Sequence, residues 1–509
     1  MAQPSSPSSS GPESSSARPS GKGPTERPPS VDVLARALAE DHGLVDLPQP
    51  LRVDAARAGI AAAMQAGEPG SSRRRAIAHA DATQRALLGP LINATGVLLH
   101  TNLGRAPAST WRVGGSGLAP VRYTNVELDL LTGHRGSRRA HAGPLLARLC
   151  GAESAIVVNN CAAAVMLVLG ALGRGREVIV SRGELVEIGG GFRVPDVMEQ
   201  SGARMVEVGT TNRTRLADYE RALARSADPA MVLKVHQSNY RITGFTEDVP
   251  VGQLAGLAVP VVADIGSGLL DLNTPWLADS SGRVPTLAWL QGEPAARQSI
   301  DAGAALVLFS GDKLFGGPQA GIIAGRKELV DACATHPLYR AFRPGALVLD
   351  ALQATALAYL RGSVVEDVPF WRMATFTNEE LGRRADEILR SLATSVPGLG
   401  DASAQRGLLR GSRPSVPERT WSIIDTEAVP GGGTLPGITI PSVGIAVDGD
   451  RTAALRLANP PIVARVDANR TILDLRTVDP ADDDLIVHAL RTLPNPSAGS
   501  SKPPPPVRS

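Results

Sequence analysis

Seven short apolar runs, at residues 155–159, 177–181, 204–208, 231–235, 259–264, 304–309 and 320–324, constrain the fold of this chain more than any other feature. Each is bounded by turn residues, and stretches of helical pattern lie between them. Buried strands alternating with helices predict an α/β domain on a mainly parallel sheet. Ligands in such sheets bind beyond the carboxyl ends of the strands. Asn159, Asn160 and Cys161 fall at one such end, His236 to Asn239 at another, then Asp264, and then Ser310 to Lys313.

Lys313 stands out. It sits in Ser310-Gly-Asp-Lys-Leu-Phe-Gly-Gly-Pro318, a tight turn walled by glycines at the end of an apolar run. The chain has 52 Lys plus Arg, and only Lys22, Lys234, Lys313, Lys327 and Lys502 are lysines. A chain that uses arginine almost everywhere has little general need for lysine. Arginine stays protonated, whereas a desolvated lysine loses its proton and forms a Schiff base with a carbonyl. The rival Lys234 lies inside Met231-Val-Leu-Lys-Val and reads as a strand residue facing a helix or solvent. Lys327 follows Arg326 and reads as surface.

Asp264 closes Val259-Pro-Val-Val-Ala-Asp and precedes Ile-Gly-Ser-Gly268. A carboxylate there suits a pyridinium nitrogen, and equally a turn or helix cap. Asn160 and Cys161 open an Ala-rich helix whose free N–H groups suit a phosphate; an ordinary Asn-capped helix reads the same way. Together with Lys313 they supply an imine lysine, a pyridine partner and a phosphate cradle, which points to pyridoxal 5'-phosphate. Arg105, Arg340 and Arg343 are candidate anion ligands. The spacing of Arg340 and Arg343 can put both on one helical face.

Around this core the pattern changes. Residues 1–30 hold ten Ser, seven Pro and three Gly, and predict a disordered tail, as does 494–509. Residues 31–88 predict a small helical domain, with Ser30 as a cap. It holds seven Arg and seven Asp plus Glu, so its Arg73-Arg74-Arg75 run is as consistent with a solvated face as with an RNA contact. Residues 346–493 predict a small α+β domain. It has helices at 346–360 and 378–392, a strand at 442–447, a hairpin of 462–466 with 470–475, and a last helix at 480–493. The net charge of +2 excludes no partner. Cys150, Cys161 and Cys333 have neither metal-ligand spacing nor an even disulfide count. With no secretory signal and no bilayer-length apolar run, they point to a reducing cytoplasm without metal or membrane.

The motifs Ile92-Asn-Ala-Thr-Gly-Val-Leu-Leu-His-Thr-Asn-Leu-Gly-Arg-Ala106, Ser181-Arg-Gly-Glu-Leu-Val-Glu-Ile-Gly-Gly190, His236-Gln-Ser-Asn-Tyr-Arg-Ile-Thr-Gly-Phe-Thr246 and Ser310 to Gly321 resemble those of bacterial selenocysteine synthases, the L-seryl-tRNA(Sec) selenium transferases. The resemblance runs from about Pro29 to Leu493. It implies a fold-type-I pyridoxal phosphate enzyme with its cofactor-binding domain at 89–345. It implies conversion of L-seryl-tRNA(Sec) to L-selenocysteinyl-tRNA(Sec) with selenophosphate, by elimination of water and selenium addition through an aminoacrylyl intermediate. By resemblance Lys313 binds the cofactor and Asp264 faces its pyridine nitrogen. Asn160, Cys161 and Ser310 complete the cofactor site. Asp312 is catalytic beside Lys313, Asn239 contacts substrate, and Arg105, Arg340 and Arg343 surround the selenium donor. Residues 31–88 grip the tRNA, and the chains form a ring of dimers. The sequence departs from the family at 109–121, where an expected helix is shortened, at 344–346, where Pro-Gly-Ala replaces an Asp-Lys pair, and at Cys161 in place of Asn. The alternative is a related lyase acting on a small amino acid or amino-sugar acid, which has no use for residues 31–88.

Overall fold

The computed structural model describes residues 27–41, 44, 47–108, 123–189, 191–394 and 421–493. The tail at 494–509, most of the tail at 1–30 and the whole segment at 109–121 lie outside them. The chain divides into two compact units, residues 1–90 and 91–509.

The first unit carries helices α1 (Val31–Ala39), α2 (Gln49–Gln65) and α3 (Ser72–Ala86). Ser30 caps α1 as expected, its side chain accepting from the Val33 N–H at 3.3 Å. Leu34, Ala35 and Leu38 form the buried face of α1, in one cluster with Ala55, Ala56, Ala76 and Ala80. Alanines at those positions let the helix axes approach closely. Each buried leucine contributes about 1.5–3 kcal/mol.

The second unit begins with two short strands, β1 (Ile92–Ala94) and β2 (Val97–Leu99). The helix α4 (Ala142–Cys150) then leads into β3 (Ser154–Val158), α5 (Cys161–Val168) and β4 (Glu177–Ser181). After the small pair β5 (Glu187–Ile188) and β6 (Phe192–Arg193) come β7 (Arg204–Val208), β8 (Pro229–Val235), β9 (Val261–Gly266), β10 (Leu306–Ser310) and β11 (Gly321–Gly325). The seven predicted strands form one sheet in the order β3-β11-β10-β9-β8-β4-β7. Only β11 runs antiparallel to its neighbours in this sheet, so the mainly parallel α/β architecture is the one observed.

Burial explains why the runs were legible. Ala263, Ile265, Val307 and Phe309 face one apolar cluster, while Val262, Leu306 and Leu308 face another. A strand covered on both faces reads as a continuous apolar run. Parallel pairing also aligns the strand ends: Val235 and Leu308 both register with Asp264.

The remaining strands are β12 (Trp421–Gly431), β13 (Ile440–Asp448), β14 (Ile462–Asp467) and β15 (Arg470–Asp474). They form a six-stranded sheet in the order β1-β14-β15-β13-β12-β2. The sequence grouped residues 89–99 with the cofactor-binding segment; their strands hydrogen-bond into this C-terminal sheet instead. Buried Arg476 locks the sheet to the preceding helices, donating to the carbonyls of Met373 (2.9 Å), Phe376 (2.8 Å) and Pro441 (2.6 Å).

Aromatic residues are 3% of the chain, yet several gather under the Lys313 turn. Trp276, Phe315, Tyr359, Phe370 and Trp371 pack as stacked or edge-on pairs. Trp371 Nε1 donates to the Tyr359 hydroxyl at 2.5 Å, and that hydroxyl donates to the Phe315 carbonyl at 2.9 Å. The turn therefore rests on a rigid floor.

Candidate functional site

Lys313 lies just past β10 and is 4% exposed. Its Nζ donates to the Gly433 carbonyl at 3.3 Å. Gly433 has φ +84°, and a β-carbon there would stand 2.9 Å from Nζ. Glycine lets that loop approach the amine without backbone strain or crowding of Nζ. Burial pulls the Lys313 ammonium below its ordinary pKa; Arg105 acts the same way, while Asp264 and Asp312 oppose it. The sequence reading of a desolvated lysine agrees with this geometry.

Asp264 is buried in β9. Burial raises its carboxyl pKa to about 6, against the pull of the Lys313 charge. The Cys161 thiol, pushed well up by burial, donates to Asp264 Oδ1 at 3.5 Å. Gly266, at φ +64°, leaves open a point 3.9 Å from both Asp264 Oδ1 and Lys313 Nζ. Asn160 caps α5, its side chain accepting from the Ala163 N–H at 2.9 Å. Ser310 ends β10 and is buried. The structure thus brings Asn160, Cys161, Asp264, Ser310 and Lys313 to one edge of the sheet.

Asp312 is buried next to Lys313 and paired with Arg105, Nη1 to Oδ2 at 3.0 Å. Arg105 holds φ +63°, a left-handed conformation that costs a non-glycine residue about 1–3 kcal/mol and marks functional sites. The Ala106 N–H donates to the Asp312 carbonyl at 3.2 Å, so the strained loop is strapped to the lysine turn.

Other predicted residues lie differently. Arg340 is exposed in the last turn of the short helix Pro337–Phe342, and Arg343 lies beyond its end in extended backbone. The two do not share a helical face, because the helix stops before Pro344. Arg343 pairs with Glu127 at 3.2 Å. Asn239 is exposed, its side chain donating to the Glu187 carbonyl at 2.8 Å. Lys234 is held by Glu184 at 2.7 Å and Asp248 at 3.2 Å, a buried-edge ion pair.

A cavity of about 520 Å³ opens beside these strand ends, lined by Asp264, His236, Glu293, Glu184 and Leu435 among others. His236 Nδ1 stands 3.9 Å from Glu293 Oε1, and burial, followed by the Lys313 charge, lowers the imidazole pKa to about 4. Buried Glu293 accepts from Thr434 Oγ1 at 3.3 Å and so joins the loop that meets Lys313. Sequence reasoning missed Glu293, Glu184 and Gly433. The run Gly431-Gly-Gly433 was the one available signal; Glu293 carried none. Among the described residues no cluster of His, Cys, Asp and Glu is arranged to hold a metal, and no helix is long and apolar enough to cross a membrane.

Comparison with known proteins follows the same line. The family described as L-seryl-tRNA selenium transferase matches residues 91–479. The L-seryl-tRNA(Sec) selenium transferase of Moorella thermoacetica is 46% identical over 418 residues, 80% of this chain and 82% of the relative. That of Geobacter sulfurreducens is 40% identical over 492 residues, 92% of this chain and 98% of the relative. Among solved structures, D-glucosaminate-6-phosphate ammonia-lyase shares the fold at TM-score 0.50 and 20% identity, covering 81% of this chain and 97% of that one. With its sheet, its buried Lys313 and Asp264, and these relatives, the chain belongs to the L-seryl-tRNA selenium transferase family.

Proposed function

We propose that this protein converts L-seryl-tRNA(Sec) to L-selenocysteinyl-tRNA(Sec), with selenophosphate as selenium donor and pyridoxal 5'-phosphate as cofactor. The observation that carries the reading is the convergence of Lys313 Nζ and Asp264 Oδ1 on one open point, each 3.9 Å from it. The residues there suit the cofactor: a desolvated amine and a buried carboxylate face a space that a side chain at Gly266 would fill. Lys313 would hold the cofactor, with Asp264 at its ring nitrogen and the N-terminus of α5, with Asn160, Cys161 and Ser310, at its phosphate side. When bound, the cofactor supplies an electron sink for the Cα carbanion.

The chain's own groups do the rest. Lys313 Nζ, with its lowered pKa, takes the Cα proton of the seryl group. The Thr434–Glu293 and Gly433–Lys313 bonds keep that amine aimed. Arg105, Arg340 and Arg343 hold the anionic donor, and Asp312 fixes Arg105. Asn239 positions substrate at the mouth, and residues 31–88 hold the tRNA. The protein works in the cytoplasm as a homo-oligomer, a ring of dimers. The test is incubation of the purified protein with seryl-tRNA(Sec) and selenophosphate. Selenocysteinyl-tRNA is the expected product. Failure to bind seryl-tRNA(Sec), with ammonia released from a small amino acid or amino-sugar acid instead, would overturn the reading in favour of a lyase.

A further inference from the structure

Glu127 gathers three guanidinium groups. Arg138 Nε donates to Oε1 at 2.6 Å, Arg343 Nη1 reaches the same oxygen at 3.2 Å, and Arg135 Nη2 donates to Oε2 at 2.9 Å. Three cations against one carboxylate leave positive charge in excess at a single point. One of the three, Arg138, is also anchored independently of Glu127. Arg138 Nη1 donates to the Pro344 carbonyl at 3.1 Å. Next to Arg343, the Phe342 carbonyl accepts from the Asn159 N–H at 2.9 Å, so the cluster abuts the turn leading to Asn160. The hydrogen bond from Arg138 comes first among the causes that hold the Glu127 carboxyl below the usual carboxylate range, so it stays charged.

We infer that Arg135, Arg138 and Arg343 form a binding site for a free phosphate-type oxyanion, in which Glu127 is a resident counter-ion that the oxyanion displaces. A tetrahedral dianion offers the same guanidiniums more acceptors and twice the charge of a carboxylate, so it competes. A monoanion gains nothing over Glu127 and is refused. Glu127 is then a charge filter. The donors converge on one carboxylate rather than spreading along a groove, which fits one small oxyanion and not a nucleic-acid backbone. The inference rests on the reading above that Arg343 holds the selenium donor, and it adds Arg135, Arg138 and Glu127 to that site.

The experiment titrates the purified full-length protein, saturated with pyridoxal 5'-phosphate so that the α5 cradle does not compete, with inorganic phosphate and in parallel with a short RNA hairpin. E127Q is expected to bind phosphate about five-fold more tightly, and R138Q about ten-fold more weakly, with RNA affinity unchanged by E127Q. E127D, which retracts the carboxylate by one methylene, is expected between wild type and E127Q and decides the matter if E127Q does not fold. Phosphate affinity unmoved in E127Q or E127D, or a gain for RNA without one for phosphate, overturns the inference. Because no seryl-tRNA is present, loss of selenium transfer with this phosphate response intact counts against the proposed function alone. The converse counts against the oxyanion site alone.

Discussion

The Lys313 amine and the Gly433 carbonyl meet at 3.3 Å, although 120 residues separate them in the chain. This bond joins the end of the parallel sheet to the loop that follows β12. It gives the amine a direction, burial lowers its pKa, and both suit the proposed role of binding a carbonyl and then moving a proton.

Lys313 and Lys234 are expected to respond oppositely to removal. Lys313→Ala should abolish the near-visible absorbance of protein-bound pyridoxal phosphate and reduce selenium transfer by about a thousand-fold or more. Lys234→Met should keep the absorbance but lose about 3–5 kcal/mol of stability, because Glu184 is left buried without its cation. Absorbance spectra and urea unfolding of the two variants separate the roles.

Burial lifts Asp264 from 3.8 to about 6, which ties stability to pH in the cofactor-free protein. Between those values the folded state binds more protons than the unfolded state, so Asp264 stabilises at low pH. That contribution is lost as pH rises through about 6. The loss approaches about 3 kcal/mol over the window. Urea unfolding at intervals from pH 4 to 7 should show this decline in the wild type and not in Asp264→Asn.

Gly433→Ala places a methyl group 2.9 Å from Nζ at a backbone angle that alanine rarely adopts. Stability should fall by about 1–3 kcal/mol, and kcat should fall by about ten-fold or more while KM for the tRNA changes little. Steady-state kinetics and urea unfolding of one preparation check both.

Arg476→Met should cost about 3 kcal/mol or more, since it leaves the carbonyls of Met373, Phe376 and Pro441 buried without a donor. The midpoint of urea unfolding reads it directly. Cofactor absorbance at low urea should be unchanged, because the residue braces the sheet and does not touch the site.

Six of the seven central strands were legible because they are largely apolar and buried, while the edge strand β7 is half-exposed and carries Arg204 and Glu207. The lysine was legible because so few lysines exist. The hairpin of β14 and β15 was legible as two closely spaced runs, 462–466 and 470–475, on either side of the turn at Ala468 and Asn469. Other elements left weaker traces. β1 and β2 are three residues each, too short for a period to show. β12 is mostly half-exposed and mixes Asp425, Thr426, Glu427 and Pro430 into its run, so its pattern was not that of a buried strand. Arg105 and Asp312 were each found, but not as partners, since pairing across 207 positions is a property of the fold. Glu293 matters through where its loop lands, and no local sequence rule encodes that.

The C-terminal sheet begins with Ile92 beside Ile462 and Val97 beside Val429. Such distant pairings carry a large loop-closure cost and form late. A ribosome making this chain therefore holds a protein with the lysine but not yet the Gly433 carbonyl that orients it. The strands that carry Lys313 can assemble soon after residue 325 emerges, while Gly433 is still unmade. With Lys313 in its proposed role, activation is expected to be coupled to synthesis of the Gly433 loop, and a chain terminated before residue 433 is expected to be inactive.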